Sequence, residues 1–304
     1  MNDLARDGTR GGRKDGASAL VLNASGCLDA LAAPDVARSL DAFVTKTVTL
    51  LPREGNAPVR IAETQSAMLN SIGLANPGID EFVSRTLPRL GELGVPVWVS
   101  VGGFSATEYA EICARLDDEE VAVIELNVSC PNVASPLETT EEIVRAARRA
   151  TSKPLYAKLS PSVPDIASIA SAAAEAGADG LSVVNTVRGL ALESVTLRPV
   201  LSTATGGLSG PALRPLALAS VFACHAATEL PIVGMGGIET GRDALELIAA
   251  GASACALGTV LFRDPDAPAR VRAELECEAR SHGFATPQAA RGIAHQVSHE
   301  PLLV

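Results

Sequence analysis

Eight short apolar runs, separated by stretches that carry helical punctuation, constrain this chain more than any other feature. They are ALVLN (19–23), AFVTK (42–46), VWVSV (97–101), VIELN (123–127), LYAKL (155–159), GLSVVN (180–185), PIVGM (231–235) and ACALG (254–258). Runs that stay apolar at consecutive positions read as strands buried on both faces, the pattern of a parallel sheet covered by crossover helices. The helices between them carry end signals. Thr139 with Glu142 before IVRAARRA, and Thr240 with Asp243 before ALELIAA, both fit a capping box, while Gly177 and Gly251 stand where helices stop. Eight such units within residues 19–258 match a closed (β/α)8 barrel, whereas a doubly wound sheet takes fewer strands and a glycine fingerprint after the first. The expected fold is therefore α/β, a (β/α)8 TIM barrel with long insertions after strands 2 and 6. The connections at 47–96 and 186–230 exceed a plain crossover, and long loops in a compact domain are usually functional.

Composition narrows the partners. At 304 residues and 47% apolar the chain can bury about three quarters of its unfolded surface. Residues 18–304 are expected to form one barrel domain, behind a disordered polar tail at 1–17. The formal charge of -10 repels phosphate backbones and argues against a nucleic-acid partner. No run of about 18 apolar residues occurs, so no membrane span is expected. The six cysteines include no C-x-x-C pair, which suggests neither a metal site nor an iron–sulfur cluster of the chain's own, and free thiols fit a reducing, cytoplasmic setting.

In a barrel the chemistry gathers at the carboxyl ends of the strands. Here strand 1 runs into Asn23, Ala24, Ser25 and Gly26, strand 2 ends at Lys46 and Thr47, and strand 3 ends at Ser100. Strand 4 ends at Asn127, Ser129 and Cys130, strand 5 at Lys158, and strand 6 at Asn185 and Thr186. Any one of these residues can be explained as a cap for the next helix; two lysines and several amides around one mouth are not explained that way as a set. Gly236 and Gly237 after strand 7, with Gly258 and Thr259 after strand 8, let backbone N–H groups approach an oxyanion, where barrels commonly hold phosphate.

The segment NVSCPN (127–132) is the sharpest single feature. Pro131 disfavours a helical backbone at Cys130, and the amides of Asn127 and Asn132 can hydrogen-bond a flat polar ligand beside the thiol. A cysteine thiol has a reference pKa of about 8.5, close enough to neutrality that a modest positive potential makes a thiolate base available. Cys113, Cys224 and Cys255 read instead as inert buried cysteines. In the first insertion, Asn70 and the Gly73–Leu74 backbone offer an amide-lined clamp for a carboxylate, with Lys46 supplying a cation.

The motifs NASG, VTKTVT, PREGN, LNSIGLANPG, ELNVSCPNV, KLSP, ADGLSVVNT, GGLSGPAL, GMGGI and GT follow one another along residues 19–268. In that order the chain resembles the class 1 dihydroorotate dehydrogenases, soluble FMN-dependent barrel enzymes of pyrimidine biosynthesis. The resemblance implies that Cys130 is the base that removes the C5 proton of dihydroorotate while a hydride passes from C6 to flavin N5. It places Lys46, Asn70, Ile72, Gly73, Leu74, Asn127, Asn132, Asn185 and Thr186 on the substrate. It places Lys158 beside flavin N1 and O2, where an ammonium stabilises the charge that reduction creates. Ala24, Ser25, Gly26 and Thr47 fall on contacts to the flavin ring, and Lys46, Asn127 and Val184 are further cofactor-binding positions. Gly210, Gly236, Gly237, Gly258 and Thr259 fall on the phosphate cradle.

Three departures from the family pattern stand out. Ser100 occupies the place of an asparagine that touches the flavin; the loop after NVSCPNV is shorter than usual; and the usual N-terminal hairpin under the barrel has no counterpart. VVNT, LNSIGL and GGLSGPAL resemble the NAD-linked subclass 1B more than the fumarate-reducing subclass 1A, which implies a partner subunit carrying FAD and a [2Fe-2S] cluster. Class 1 relatives are homodimers or heterotetramers. Two other readings fit the same residues, a flavoenzyme acting on another dihydropyrimidine-like cyclic amide and a non-catalytic flavin-binding subunit. Retention of the pyrimidine-contacting set weighs against the first, and Cys130 and Lys158 weigh against the second.

Overall fold

The computed structural model describes residues 19–128 and 136–296, with the backbone alone for 136–138. The expected tail at 1–17 and two expected site residues, Cys130 and Asn132, lie outside the described residues. In chain order the strands are β1 (Leu20–Asn23), β2 (Phe43–Val44), β3 (Ile61–Glu63), β4 (Met68–Asn70), β5 (Val97–Val101) and β6 (Val123–Asn127). They continue with β7 (Leu155–Leu159), β8 (Gly180–Val183), β9 (Val187–Leu190), β10 (Thr205–Ser209), β11 (Ile232–Met235) and β12 (Ala254–Leu257). Eight of these form one parallel sheet in the order β1-β12-β11-β8-β7-β6-β5-β2, and these are the eight expected strands.

The sheet closes between β1 and β2, and side chains do most of the closing. β2 has only two residues; its first, Phe43, and the following Thr45 donate their N–H groups to Pro96 O and Trp98 O on the β5 side. Val44 therefore points the other way, toward β1. There the side chain of Asn23 stands in for a strand edge: its Oδ1 accepts from Val44 N at 2.8 Å and its Nδ2 donates to Val44 O at 2.7 Å. One step earlier Asp41 N donates to Val21 O at 3.0 Å, and Asp41 Oδ2 accepts from Val21 N at 2.8 Å and from Arg272 at 2.9 Å.

Strand alternation sorts the core into two bodies. Val123, Trp98, Tyr156, Leu22, Val44, Val233, Met235, Ala254 and Ala256 fill the barrel interior. Their neighbours, such as Ile124, Leu126, Val99, Leu181 and Ile232, face outward to the helices. Inside, the rings of Trp98 and Tyr156 lie 4.8 Å apart, and a Cβ on Gly180, the strand partner of Tyr156, would fall 2.3 Å from that ring.

The capping box at Thr240 and Asp243 forms as expected, in the helix Gly241–Ala249. Gly177 and Gly251 both follow helix ends as expected. In each case the glycine N–H and the next N–H bond back, Gly177 to Ala174 and Ala178 to Ala173, Gly251 to Ile248 and Ala252 to Leu247, which is the Schellman pattern. The Thr139–Glu142 box is a miss. That helix spans Pro136–Ala150, so Thr139 lies inside it; proline at the first helical position was the stronger start signal.

The two insertions were expected as long functional loops, and they pair with each other. β3, β4, β10 and β9 form a second, antiparallel sheet in that order, with Asn70 of β4 opposite Gly207 of β10. This sheet lies beside the barrel mouth: Ile61, Met68, Asn70 and Ser209 from it line the same cavity as the strand ends.

Candidate active site

One cavity opens at the carboxyl ends of the barrel strands. Of the expected residues it is lined by Ala24, Ser25, Gly26, Thr47, Asn70, Ile72, Asn127, Lys158, Val184, Asn185, Thr186, Gly210, Gly236, Gly237, Gly258 and Thr259. They gather there because they lie at or just beyond the carboxyl ends of the barrel strands, or on and beside the inserted sheet.

On one side a hydrogen-bonded relay crosses the mouth. Asn185 Nδ2 donates to Asn127 Oδ1 at 3.0 Å, Asn127 Nδ2 lies 3.5 Å from Thr47 Oγ1, and Thr47 Oγ1 is 3.1 Å from Ser100 Oγ. Asn185 Oδ1 also accepts from Thr186 N at 2.8 Å, and Tyr109 OH donates to Asn127 O at 2.6 Å. Two amides are thereby held in fixed orientations, with a third, Asn70, anchored across the cavity by its bond to Gly207 O at 3.2 Å. Such a surface presents alternating donors and acceptors to a planar ring.

Ser100 is fully buried and off the cavity lining; it acts through Thr47. Gly73 and Leu74 are also off the lining. Gly73 packs against Asn56, and its carbonyl accepts from Arg53, while Leu74 O accepts from Asn76 at 2.7 Å, so the clamp narrows to Asn70 and Ile72. Lys46 runs across Gly26: a Cβ there would lie 2.9 Å from Lys46 Cδ. Burial pushes the Lys46 ammonium below its usual range; Cys27 opposes this and the Lys158 charge adds to it.

Lys158 is buried and donates to Ser25 Oγ at 2.8 Å. Two neighbours of this lysine escaped the sequence reading. Cys27 lines the cavity between the two lysines; burial pushes its thiol up, and Lys158 and Lys46 pull it back down. Glu125, 1% exposed, lies one inward position below Asn127 with Oε1 3.7 Å from Lys158 Nζ. A signal for Glu125 was present: in VIELN it takes the same strand parity as Val123 and Asn127, which places a carboxylate inside the barrel. Cys113, Cys224 and Cys255 are buried as expected, and burial pushes each thiol up to about 12.

On the other side lie the loops after the seventh and eighth barrel strands, the usual phosphate corner of this architecture. Gly236 and Gly237 have φ of 125° and 77°, and a Cβ on either would come within 2.9 Å of Ala217 Cβ or the Arg214 backbone, so their backbone path requires glycine. Gly258 differs. A Cβ there would meet only Ala24 Cβ and Cys27 Sγ, both at an unstrained 3.7 Å. Packing leaves that space open toward the cavity, as a cradle for a bound group does. Thr259 Oγ1 is tied to Ser209 Oγ at 2.9 Å, joining this corner to the inserted sheet.

A (β/α)8 barrel with a glycine-lined phosphate corner, a buried lysine and an amide-rich mouth is the frame of an FMN-dependent oxidoreductase. The comparisons with known proteins agree. The family model described as dihydroorotate dehydrogenase matches residues 18–278. The catalytic subunit of dihydroorotate dehydrogenase B (NAD(+)) from Desulforudis audaxviator is 46% identical over 265 residues, covering 84% of this chain and 86% of that one. The protein of the same name from Listeria monocytogenes is 43% identical over 234 residues, 74% and 77% of the two chains. A solved structure, the Eimeria tenella enzyme in complex with ferulenol, superposes with a TM-score of 0.76 at 26% identity, covering 91% of this chain and 85% of that one. The chain belongs to the dihydroorotate dehydrogenase family, whose members are FMN-dependent. Among the described residues no helix is long and apolar enough to cross a membrane.

Proposed function

We propose that this chain oxidises (S)-dihydroorotate to orotate in pyrimidine biosynthesis, as the catalytic subunit of an NAD-linked enzyme. The observation that carries the substrate is the set of three immobilised amides, Asn127 and Asn185 bonded to each other at 3.0 Å and Asn70 facing them from the inserted sheet. A dihydropyrimidine ring alternates N–H and C=O groups along its edge, and fixed carboxamides with one donor end and one acceptor end are its natural complement. Thr186 and Ile72 border the same face; Lys46, off the cavity lining beside Gly26, is the cation for the ring's carboxylate.

Oxidation removes a proton from C5 and a hydride from C6. FMN, when bound, supplies the hydride acceptor. Its phosphate suits the corner made by Gly210, Gly236, Gly237, Gly258 and Thr259, and its ring suits the stretch from Ala24 to Gly26 with Thr47 and Val184. Lys158 holds a positive charge, oriented by Ser25, where negative charge develops, so the site needs no reorganisation during the reaction. The family resemblance assigns the C5 proton to Cys130. The amides then act by holding the ring so that both C–H bonds face their acceptors, the positioning part of catalysis.

The names of the relatives, catalytic subunits of an NAD(+) enzyme, support a partner electron-transfer subunit; the family resemblance gives that partner FAD and a [2Fe-2S] cluster, in a homodimer or a heterotetramer. The test is direct. Purified protein should be yellow, release FMN on denaturation, and bleach anaerobically with dihydroorotate. Bleaching by dihydrouracil and not dihydroorotate overturns the substrate. Turnover sustained by fumarate alone overturns the partner.

A further inference from the structure

We propose that Glu125 is a positioning residue of the flavin site: it tempers the field that the Lys158 ammonium presents to the cofactor and so sets the reduction potential of the bound flavin. The inference rests on the FMN assignment above and concerns a residue outside the cavity lining.

Glu125 sits in the barrel interior with 1% exposure, its Oε1 3.7 Å from Lys158 Nζ, and that oxygen has no hydrogen-bond partner. On the far side of the same lysine, Ser182 is its register partner on β8, and Ser182 Oγ is likewise buried without a partner. A carboxylate oxygen that faces the ammonium but accepts no hydrogen bond, with a second buried hydroxyl unpartnered on the neighbouring strand, does not serve stability. A buried carboxylate that is only partly satisfied costs more than an apolar side chain of the same shape, and barrels fill this layer with branched aliphatics. Buried groups of this kind call for a functional explanation.

Geometry supplies one. Lys158 is held from above by Ser25 Oγ, on the cavity lining, and from below by Glu125, deeper in the barrel. The pair is a dipole with its positive end toward the cavity, in place of a bare monopole. A bare ammonium in a low-dielectric interior would stabilise the reduced, negatively charged flavin strongly, which favours accepting the hydride but hinders passing the electrons on. The carboxylate behind it lowers that preference without removing the donor. Cys27 feels both members of the pair with opposite sign, which places their fields at the cavity wall.

The experiment is anaerobic equilibration of the flavin-loaded protein with a reference dye. Glu125→Gln keeps the shape and deletes the charge; at fixed potential its ratio of reduced to oxidised flavin should rise about tenfold, equivalent to about 30 mV upward for a two-electron couple. Glu125→Asp keeps the charge but retracts it by one methylene, and should move the ratio about threefold in the same direction. The order Gln, then Asp, then wild type supports the inference. An unchanged or lowered ratio in Glu125→Gln overturns it. Should that variant not fold, the aspartate variant decides alone, and an unchanged ratio there overturns it equally. A colourless wild-type protein fails the flavin assignment and this inference together, whereas a yellow protein with an unmoved potential fails the inference only.

Discussion

Asn23 to alanine is the sharpest test of how this barrel holds its mouth in shape. The substitution deletes two bonds to Val44, at 2.8 and 2.7 Å, and a third to Ala24 O at 3.1 Å. Asn23 is fully buried and Val44 is 2% exposed, so the Val44 N–H and C=O are left facing a cavity the size of a carboxamide. Each buried orphan costs about 1–3 kcal/mol, and one water entering the space recovers part of that. The sum is a loss of about 3–4 kcal/mol. For a chain of this length, at about 2 °C per kcal/mol, Tm of the apoprotein should fall by about 6–8 °C. Asn23→Asp separates the two halves of the contact, because it keeps an acceptor for Val44 N but turns a second oxygen against Val44 O. It should melt no higher than the alanine variant. Circular dichroism melts read both. Since Ala24, Ser25 and Gly26 follow at once, flavin affinity should drop in parallel. A fall of less than about 2 °C in either variant, with flavin retained, would refute the claim that this side chain closes the barrel.

Further expectations concern single positions. Gly258→Ala should weaken FMN binding about tenfold or more by filling the cradle, as flavin fluorescence quenching will report. Cys130→Ala should keep the yellow colour while slowing anaerobic bleaching by about 10²- to 10⁴-fold, the usual worth of a positioned base; stopped-flow absorbance checks it. His225 is pushed below the ordinary histidine range by burial, then by Arg291 and His295, with Glu229 opposing. The unfolded chain therefore takes up a proton near pH 6.5 that the folded chain refuses until lower pH, so stability is full above about 6.5 and declines as pH falls toward the folded value. Tm measured from pH 7 to 5 should show that decline, and His225→Gln should flatten it.

All eight barrel strands were legible because burial on both faces writes an apolar run that needs no partner to be recognised. Most of the site was legible for the same reason: once the strands are known, their carboxyl ends share a mouth, and Asn127, Lys158 and Asn185 follow. The second sheet was hidden. IAE, MLN, VRGL and TGGLS are short and partly polar, and the pairing that joins the two hairpins into one sheet, β4 with β10, links residues over a hundred positions apart, which local propensity does not report. Ser100 was placed on the cofactor by family position, but its short side chain reaches only to Thr47. Glu125 was written in the parity of its strand and overlooked because the run around it was read as uniformly apolar.

The roof over the cavity is woven from two excursions of the backbone, and the bond from Asn70 to Gly207 joins residues 137 apart in sequence. Each excursion folds back on itself as a hairpin, β3 with β4 and β9 with β10, and the two hairpins join edge to edge through β4 and β10. The same weave couples recognition at both ends of the cavity. Asn70, which faces the ring, and Ser209, which is tied to Thr259 at the phosphate corner, ride on adjacent strands of one small plate. A graft that swaps one excursion from a relative must carry its mate, or the plate loses its weft.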